Sequence, residues 1–210
     1  MSFADKLLST ARKMNEIGLN HGSAGNVSVK CEDGYLITPT GMAYDMCSPE
    51  DMVQMDMSGR SSGRCKPSSE WRFHQDLYAS RNDIGAIVHT HSTFATAVSC
   101  LQENVPAFHY MVAVAGGKDI RCTPYHTFGT EELSQAAVEA MKDRKACLLG
   151  NHGLLAVGED LSSALAMALE IEKLCEAYVA VRQLGGGKMI DDAEMDRVVE
   201  KFKGYGQFSD

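Results

Sequence analysis

Short apolar runs of four to six residues alternate along this chain with longer segments whose apolar residues recur at helical spacing. The runs predict strands at residues 26–30, 35–38, 84–89 and 146–149, and Asp33-Gly34 predicts a hairpin between the first two. The longer segments predict helices at residues 3–17, 69–80, 94–101, 130–142, 160–184 and 191–203. Because a hairpin comes early and helices follow the later strands, we expect a three-layer α/β/α fold around a central, largely antiparallel sheet.

Single residues indicate where two of these helices begin and end. Gly18 is expected to stop the first helix, because glycine is favoured just past a helix end. Asp160 is expected to cap the long fifth helix, which the glycines at 185–187 end. Along that helix, two leucines and two glutamates are expected to mark alternate faces: Leu165, Leu169, Glu172 and Glu176.

Composition narrows the class of protein. The 210 residues are expected to form one domain, residues 1–210, and the net charge of -8 argues against nucleic acid and anionic membrane as partners. No apolar run reaches the roughly 20 residues of a membrane span, and the N-terminal residues do not resemble a secretory signal. Seven cysteines, an odd number without a Cys-x-x-Cys pair, predict reduced thiols and a cytoplasmic location.

Three histidines at the ends of apolar runs suggest a metal site. His89 and His91 are two residues apart, and side chains at that spacing on a strand share one face. The pair alone is weak evidence for a metal site, because two histidines at a polar strand end would show the same spacing. His152, however, lies between glycines after another apolar run. Three imidazoles with one open position are typical of catalytic zinc.

The four other histidines have no pairing at ligand spacing: His21, His74, His109 and His126. His74 lies four residues after Glu70, so the two side chains can meet on one helix face. An indirect or solvated role is therefore expected for His74 rather than metal binding.

Three loops are rich in small residues that expose their backbone, at 23–26, 38–41 and 67–70. Phosphate sites need several N–H and hydroxyl groups aimed at one point, and a helix N-terminus adds its dipole. Ser68 and Ser69 are expected to open a helix there, with Glu70 in its first turn. Ordinary turns and an N-cap are the alternative interpretation. No Walker loop or Gly-x-Gly-x-x-Gly pattern supports nucleotide binding.

Assembled, these residues resemble the class II aldolase family, which includes fuculose-phosphate aldolases and ribulose-phosphate 4-epimerases. The resemblance runs nearly end to end, and several independent motifs in the same order carry it. They lie at residues 23–29, 36–41, 67–74, 89–91, 106–111, 127–130, 151–154 and 202–206.

The resemblance implies a zinc ion in each subunit, bound by His89, His91 and His152. Glu70 matches the family's catalytic carboxylate, which can also approach the metal. The matching phosphate cradle is Gly25, Asn26, Thr40, Gly41, Ser68 and Ser69.

Three aromatic residues match family positions around the substrate. Phe128 corresponds to a wall of the aldehyde pocket, and Tyr205 to a tyrosine of the C-terminal tail near the substrate. Tyr110 corresponds to a tyrosine that reaches the site of a neighbouring subunit. The family assembles as C4 homotetramers with active sites between subunits, which the resemblance implies here as well.

The predicted reaction is the reversible retro-aldol cleavage of a ketose 1-phosphate to dihydroxyacetone phosphate and an aldehyde. Zinc would act as a Lewis acid on the carbonyl and adjacent hydroxyl oxygens, Glu70 would move the proton of the enediolate carbon, and Tyr110 would trade a proton with the C4 oxygen. L-fuculose 1-phosphate and the 5-deoxy- or 5-methylthio-ribulose 1-phosphates all remain open as substrates.

Other activities of the same fold are the alternatives. A 4-epimerase typically has Asp where this chain has Glu70, and a methylthioribulose-1-phosphate dehydratase shares the three histidines and the glutamate. A non-catalytic module resembling the adducin head would have lost ligands, whereas all four are present here.

Overall fold

A computed structural model describes residues 1–204 of the chain. This part contains seven strands: β1 Asn26–Cys31, β2 Gly34–Ile37, β3 Val53–Met55, β4 Ser61–Ser62, β5 Ala86–Thr90, β6 Ala146–Leu149 and β7 Gly153–Gly158. They form one sheet in the order β4-β3-β2-β1-β5-β7-β6, with every neighbouring pair antiparallel. The predicted antiparallel sheet is confirmed.

Six α-helices accompany the strands within the same residues: α1 Phe3–Glu16, α2 Trp71–Ser80, α3 Thr93–Ser99, α4 Glu131–Ala140, α5 Leu161–Gln183 and α6 Asp192–Lys203. Shorter 3-10 segments cover Tyr44–Met46, Pro49–Asp51 and Tyr110–Ala115. Asp160 caps α5 as predicted, because its side chain accepts a hydrogen bond from the Ser163 N–H. Gly18 follows the end of α1 with φ +78°.

Alternation along the central strands divides the apolar side chains between two faces. On β5, Ala86 and Val88 pack into a cluster with apolar residues of α1, α3, α5 and α6. Ile87, between them, packs into a second cluster with residues of α2 and α4. Burial of alternate side chains on opposite faces therefore confirms the three-layer α/β/α arrangement.

The structure corrects several sequence-based bounds and faces. Helix α2 begins at Trp71, so Glu70 occupies the N-cap position rather than the first turn, and Ser69 precedes the helix. On α5, Leu169 is 36% exposed while Glu172 is buried, so burial along this helix does not follow the polarity of the side chains. Glu172 accepts hydrogen bonds from the Phe94 and Ala95 N–H groups at the start of α3, which compensates its burial.

Strands β3, β4 and β7 were not expected from the sequence. The Gly153–Gly158 run of β7 is apolar on both faces and lies between β5 and β6. This central place explains why it lacks polar alternation. Among residues 1–204, no helix is both long and apolar enough to cross a membrane.

Candidate metal centre

Two neighbouring strands bring the three predicted histidines to one end of the sheet. His89 lies on β5, His91 follows the end of that strand by one residue, and His152 lies in the turn between β6 and β7. Strand β7 pairs with β5 so that Leu154 is opposite Thr90, which puts His152 beside the end of β5. Asn151 adopts φ +52° in this turn, a left-handed conformation that asparagine tolerates.

The side chains of these histidines meet a carboxylate that comes from the start of α2. His89 Nε2 lies 3.0 Å from His91 Nε2. The two oxygens of Glu70 approach different rings, with Oε2 3.2 Å from His89 Nε2 and Oε1 3.2 Å from His152 Nε2. Four potential ligand atoms thus lie within 4.8 Å of one another.

Hydrogen bonding around this cluster fits a metal ion. Nδ1 of His89 lies 2.9 Å from the Leu154 carbonyl oxygen, which only accepts, so Nδ1 carries the proton and the Nε2 lone pair faces the cluster. Oε1 of Glu70 is buried and accepts no hydrogen bond, although His152 is close. A buried anionic oxygen without a donor beside unprotonated imidazole nitrogens is a suitable donor set for a divalent cation.

The ionisation states agree with that donor set. Burial, then the neighbouring His89, lowers the pKa of His91 and of His152 to about 4. Burial by itself raises the pKa of Glu70, but His89, His152 and the Asn26 amide outweigh it and bring the pKa to about 2. Near neutral pH His91 and His152 are neutral, as metal ligands must be, and the carboxylate is ionised.

The same end of the sheet forms a pocket of about 340 Å³, a volume that suits a small molecule. Glu70, His91 and His152 line it. So do the remaining predicted pocket residues of the family resemblance: Gly25, Asn26, Thr40, Gly41, Ser68, Ser69 and Phe128. The three loops predicted to hold an anion therefore surround the candidate metal ligands.

Backbone hydrogen bonds join two of these loops. The Ser68 N–H donates to the Thr38 carbonyl, and the Thr40 N–H donates to the Lys66 carbonyl. Because these N–H groups are engaged, a phosphate contact by Thr40 or Ser68 would come from its hydroxyl group.

Asn26 lines the pocket, but its side chain is also used inside the protein. Its Nδ2 donates to Glu70 Oε2 at 3.0 Å, and its Oδ1 lies 2.5 Å from His74 Nε2. His74 is fully buried and is not among the four clustered ligand groups.

The two predicted tyrosines have different outcomes. Tyr110 lies in the 3-10 segment Tyr110–Ala115, is 50% exposed, and stacks on Phe202 with ring centroids 6.5 Å apart. It does not line the pocket of its own chain within the described residues. Tyr205 lies outside the described residues.

Three further residues that the sequence did not single out line the pocket: Tyr125, His126 and Asn151. Asn151 adjoins His152, so its proximity to a ligand was the available signal. His126 had been set aside because it has no ligand-like spacing. That criterion detects metal ligands but not residues that surround a substrate.

Two glycines in the loop before β1 allow a matched test of how closely the backbone packs behind the histidines. A Cβ at Gly25, where φ is +66°, would lie 2.3 Å from Asn20 Nδ2 and 2.4 Å from the His89 carbonyl oxygen. Asn20 in turn accepts the His91 N–H. At Gly22, where φ is +61°, no atom lies within 4 Å of that position.

We expect Gly25→Ala to lower both the affinity for a divalent metal ion and the free energy of unfolding. Gly22→Ala carries only the strain of a positive φ, about 1–2 kcal/mol. Gly25→Ala should cost roughly 1–3 kcal/mol more because of overpacking. Denaturant unfolding and zinc titration of both variants measure the difference, and equal behaviour would contradict the packing argument.

Fold and donor set together define a candidate metal-dependent enzyme that is built at one end of an antiparallel sheet. Residues 5–179 match the Class II Aldolase and Adducin N-terminal domain family. A 5-methylthioribulose-1-phosphate/5-deoxyribulose-1-phosphate aldolase from Rhodospirillum rubrum is 51% identical over 95% of this chain and 90% of the relative. An L-fuculose phosphate aldolase from Escherichia coli is 46% identical over 97% of this chain and 95% of the relative.

A solved structure agrees with these relatives. An L-fuculose 1-phosphate aldolase superposes with a TM-score of 0.92 at 40% identity, covering 97% of this chain and 98% of the other. The chain belongs to the class II aldolase family, a metal-dependent family, and is an aldolase of the lyase class. The resemblance inferred from the motifs is confirmed, and the non-catalytic alternative is not supported.

Proposed function

We propose that this protein is a zinc-dependent aldolase that reversibly cleaves a ketose 1-phosphate to dihydroxyacetone phosphate and an aldehyde. The observation that carries the proposal is the meeting of Glu70 with three imidazoles at the wall of a pocket lined by the small-residue loops. A carboxylate base, a Lewis-acid site and an anion cradle are the three parts that this cleavage needs.

Zinc is the metal that the donor set favours. Three imidazoles and a carboxylate suit a borderline-soft divalent ion, and His91 and His152 are neutral near pH 7. When bound by His89, His91 and His152, the ion supplies Lewis-acid stabilisation of the charge that develops on the substrate oxygens.

The protein's own groups would hold the substrate and move its protons. Glu70 would take the proton from the hydroxymethyl carbon, C3, of dihydroxyacetone phosphate and return it in the cleavage direction. Ser68, Ser69 and Thr40 offer hydroxyl groups to the phosphate, beside the backbone of Gly25 and Gly41.

Substrate choice would depend on the aldehyde end of the pocket. Phe128 is 63% exposed and lines the pocket beside Tyr125, so the aromatic wall faces open space that a methyl or methylthio group can fill. Relatives named for L-fuculose phosphate and for 5-methylthio- or 5-deoxyribulose 1-phosphate keep all three ketoses as candidates.

The experiment that tests the proposal is kcat/KM with these three ketose 1-phosphates, following release of dihydroxyacetone phosphate. L-ribulose 5-phosphate and epimer analysis test the epimerase alternative, and release of water from 5-methylthioribulose 1-phosphate tests the dehydratase alternative. Cleavage of at least one ketose 1-phosphate is expected. If none releases dihydroxyacetone phosphate, the proposal is wrong.

Phosphate recognition leads to a separate prediction. A ketulose without the phosphate cannot use the hydroxyl groups of the loops, so its kcat/KM should be far lower than that of the 1-phosphate. Losing hydrogen bonds to a charged group costs roughly 1.5–3 kcal/mol each, or about 10- to 100-fold. Equal kcat/KM for L-fuculose and its 1-phosphate would contradict the phosphate cradle.

Assembly and location complete the proposal. Because Tyr110 is half exposed and lies outside its own pocket, we propose that it serves the site of a neighbouring subunit in a C4 homotetramer. By the family resemblance, Tyr205 of the C-terminal tail would lie near the substrate. Residues 1–210 would act as one domain, and the seven free cysteines support a reducing, cytoplasmic location.

A further inference from the structure

A line of buried hydrogen bonds runs from the catalytic carboxylate into the layer between the sheet and α2. Beyond Asn26, His74 Nδ1 lies 2.7 Å from Ser28 Oγ, and Ser28 Oγ lies 2.8 Å from the Tyr78 hydroxyl. Ser28 and His74 are completely buried, and Asn26 and Tyr78 nearly so. None of these four side chains belongs to the metal-ligand cluster.

The chemistry of each group fixes the direction of every hydrogen bond in this line. An ionised Glu70 only accepts, so Asn26 must present its amide N–H to Oε2 and its carbonyl Oδ1 to His74. His74 Nε2 must then carry a proton. Burial first, then the nearby His89, lowers the pKa of His74 to about 3, so the ring is neutral and Nδ1 is an acceptor.

Ser28 and Tyr78 donate their hydrogen bonds in the same direction along this line. Ser28 Oγ–H donates to the free Nδ1 of His74 and accepts from the Tyr78 hydroxyl. Burial raises the pKa of Tyr78, which keeps its hydroxyl protonated and able to donate. The order of donation is therefore Tyr78 to Ser28 to His74 to Asn26 to Glu70.

We propose that Ser28, His74 and Tyr78 are positioning residues that hold the Asn26 amide in the one orientation that supports the Glu70 carboxylate. The inference rests on the proposed function, in which Glu70 is the base. If His74 adopted the other tautomer, Asn26 would turn its carbonyl oxygen toward Oε2, and two acceptors would face each other. Glu70 would then leave the position from which it reaches the substrate carbon.

This line of hydrogen bonds also gives the two oxygens of Glu70 different roles. Oε2 is held by the Asn26 amide, whereas Oε1 accepts no hydrogen bond. A carboxylate fixed through one oxygen keeps the other available to take up a proton.

Two amide substitutions of His74 separate positioning from simple filling of space. In His74→Gln the side-chain N–H can occupy the place of Nε2 and still donate to Asn26. In His74→Asn the shorter amide reaches the place of Nδ1 and no longer donates to Asn26. We expect His74→Gln to stay within about threefold of wild type and His74→Asn to lose about 10- to 100-fold in kcat, the usual effect of removing a supporting partner.

The measurements distinguish an effect on the rate of the reaction from an effect on the binding of substrate and metal. We would measure kcat, KM, zinc content and exchange of the C3 proton of dihydroxyacetone phosphate with deuterated solvent. For His74→Asn, kcat and exchange should fall together while KM and one zinc per chain persist. A loss of zinc, or equal losses in both variants, would overturn the positioning role.

Ser28→Ala and Tyr78→Phe form a second pair in case His74→Asn does not fold. Ser28→Ala removes the hydroxyl that donates to Nδ1 and should lower kcat like His74→Asn. Tyr78→Phe leaves the Ser28 hydroxyl in place and should have a smaller effect. The opposite ranking would contradict the proposed direction of the hydrogen bonds.

A spectroscopic measurement on the wild-type protein does not depend on the folding of His74→Asn, because it uses only His74→Gln, for assignment. Nitrogen-15 correlation spectra of the imidazoles report which nitrogen carries the proton, and the His74 signals are those missing from His74→Gln. Protonation at Nε2 supports the proposal, and protonation at Nδ1 overturns it. If the wild-type protein neither cleaves a ketose 1-phosphate nor exchanges the C3 proton, the proposed function fails, whatever the His74 tautomer.

Discussion

Replacement of His152 by alanine is expected to remove stoichiometric zinc and turnover together while the fold persists. His152 supplies one of the three imidazoles that residues 1–204 bring to the cluster, and its Nε2 faces Glu70 at 3.2 Å. Its backbone N–H donates to the Leu149 carbonyl, and alanine retains that bond. Metal catalysis of this kind supplies several kcal/mol, so turnover should fall by at least about 10²-fold.

His126→Ala is the matched control for this substitution. His126 lines the same pocket but lies outside the ligand cluster, so its loss should leave one zinc per chain. Metal analysis and circular dichroism of both variants make the comparison. A tightly bound zinc in His152→Ala would count against the assigned ligands.

Glu70→Gln is expected to give the second large effect, a fall in turnover of about 10²–10⁴-fold, because the amide keeps the size of the side chain but cannot take a proton. Zinc should remain, since three histidines are unchanged. Affinity for the ketose phosphate should change little, because the loops that surround it are intact. Steady-state kinetics and metal analysis measure both.

A purely structural role for Glu70 makes a different prediction. At the N-cap of α2 a carboxylate favours the helix dipole by roughly 0.3–1 kcal/mol, so its loss would lower stability slightly and leave turnover unchanged. Exposed Glu132 in the first turn of α4 is the matched control, since Glu132→Gln removes a similar dipole contact at a residue that does not line the pocket. Equal turnover in the two variants would favour the structural role.

Short-range sequence patterns predicted the parts of the site that depend on residues close together in the chain. His89 and His91 lie two residues apart at the end of β5, and their rings meet with centroids 4.9 Å apart. The loops at 38–41 and 67–70 were found because small residues with exposed backbone are visible in the sequence. In both cases the relevant geometry spans only a few residues.

Such short-range patterns could not predict contacts between residues that are far apart in the sequence. Asn26 and His74 are 48 positions apart and meet because α2 packs on one face of the sheet, against apolar residues of β2, β3 and β5. Glu172 was expected only to mark a face of its own helix, yet its carboxylate is buried where it caps a helix about 77 residues earlier in the chain. Burial of a polar group depends on a partner from another element, and the spacing along one helix does not show it.

Proton exchange tests the account most directly, because it isolates the step assigned to Glu70. Dihydroxyacetone phosphate alone, in deuterated solvent with zinc-loaded protein, should exchange its C3 proton without any aldehyde, as followed by proton NMR. The account predicts rapid exchange with the wild-type protein and a rate about 10²–10⁴-fold lower with Glu70→Gln. Exchange at the wild-type rate in Glu70→Gln would contradict the role of Glu70 as the base.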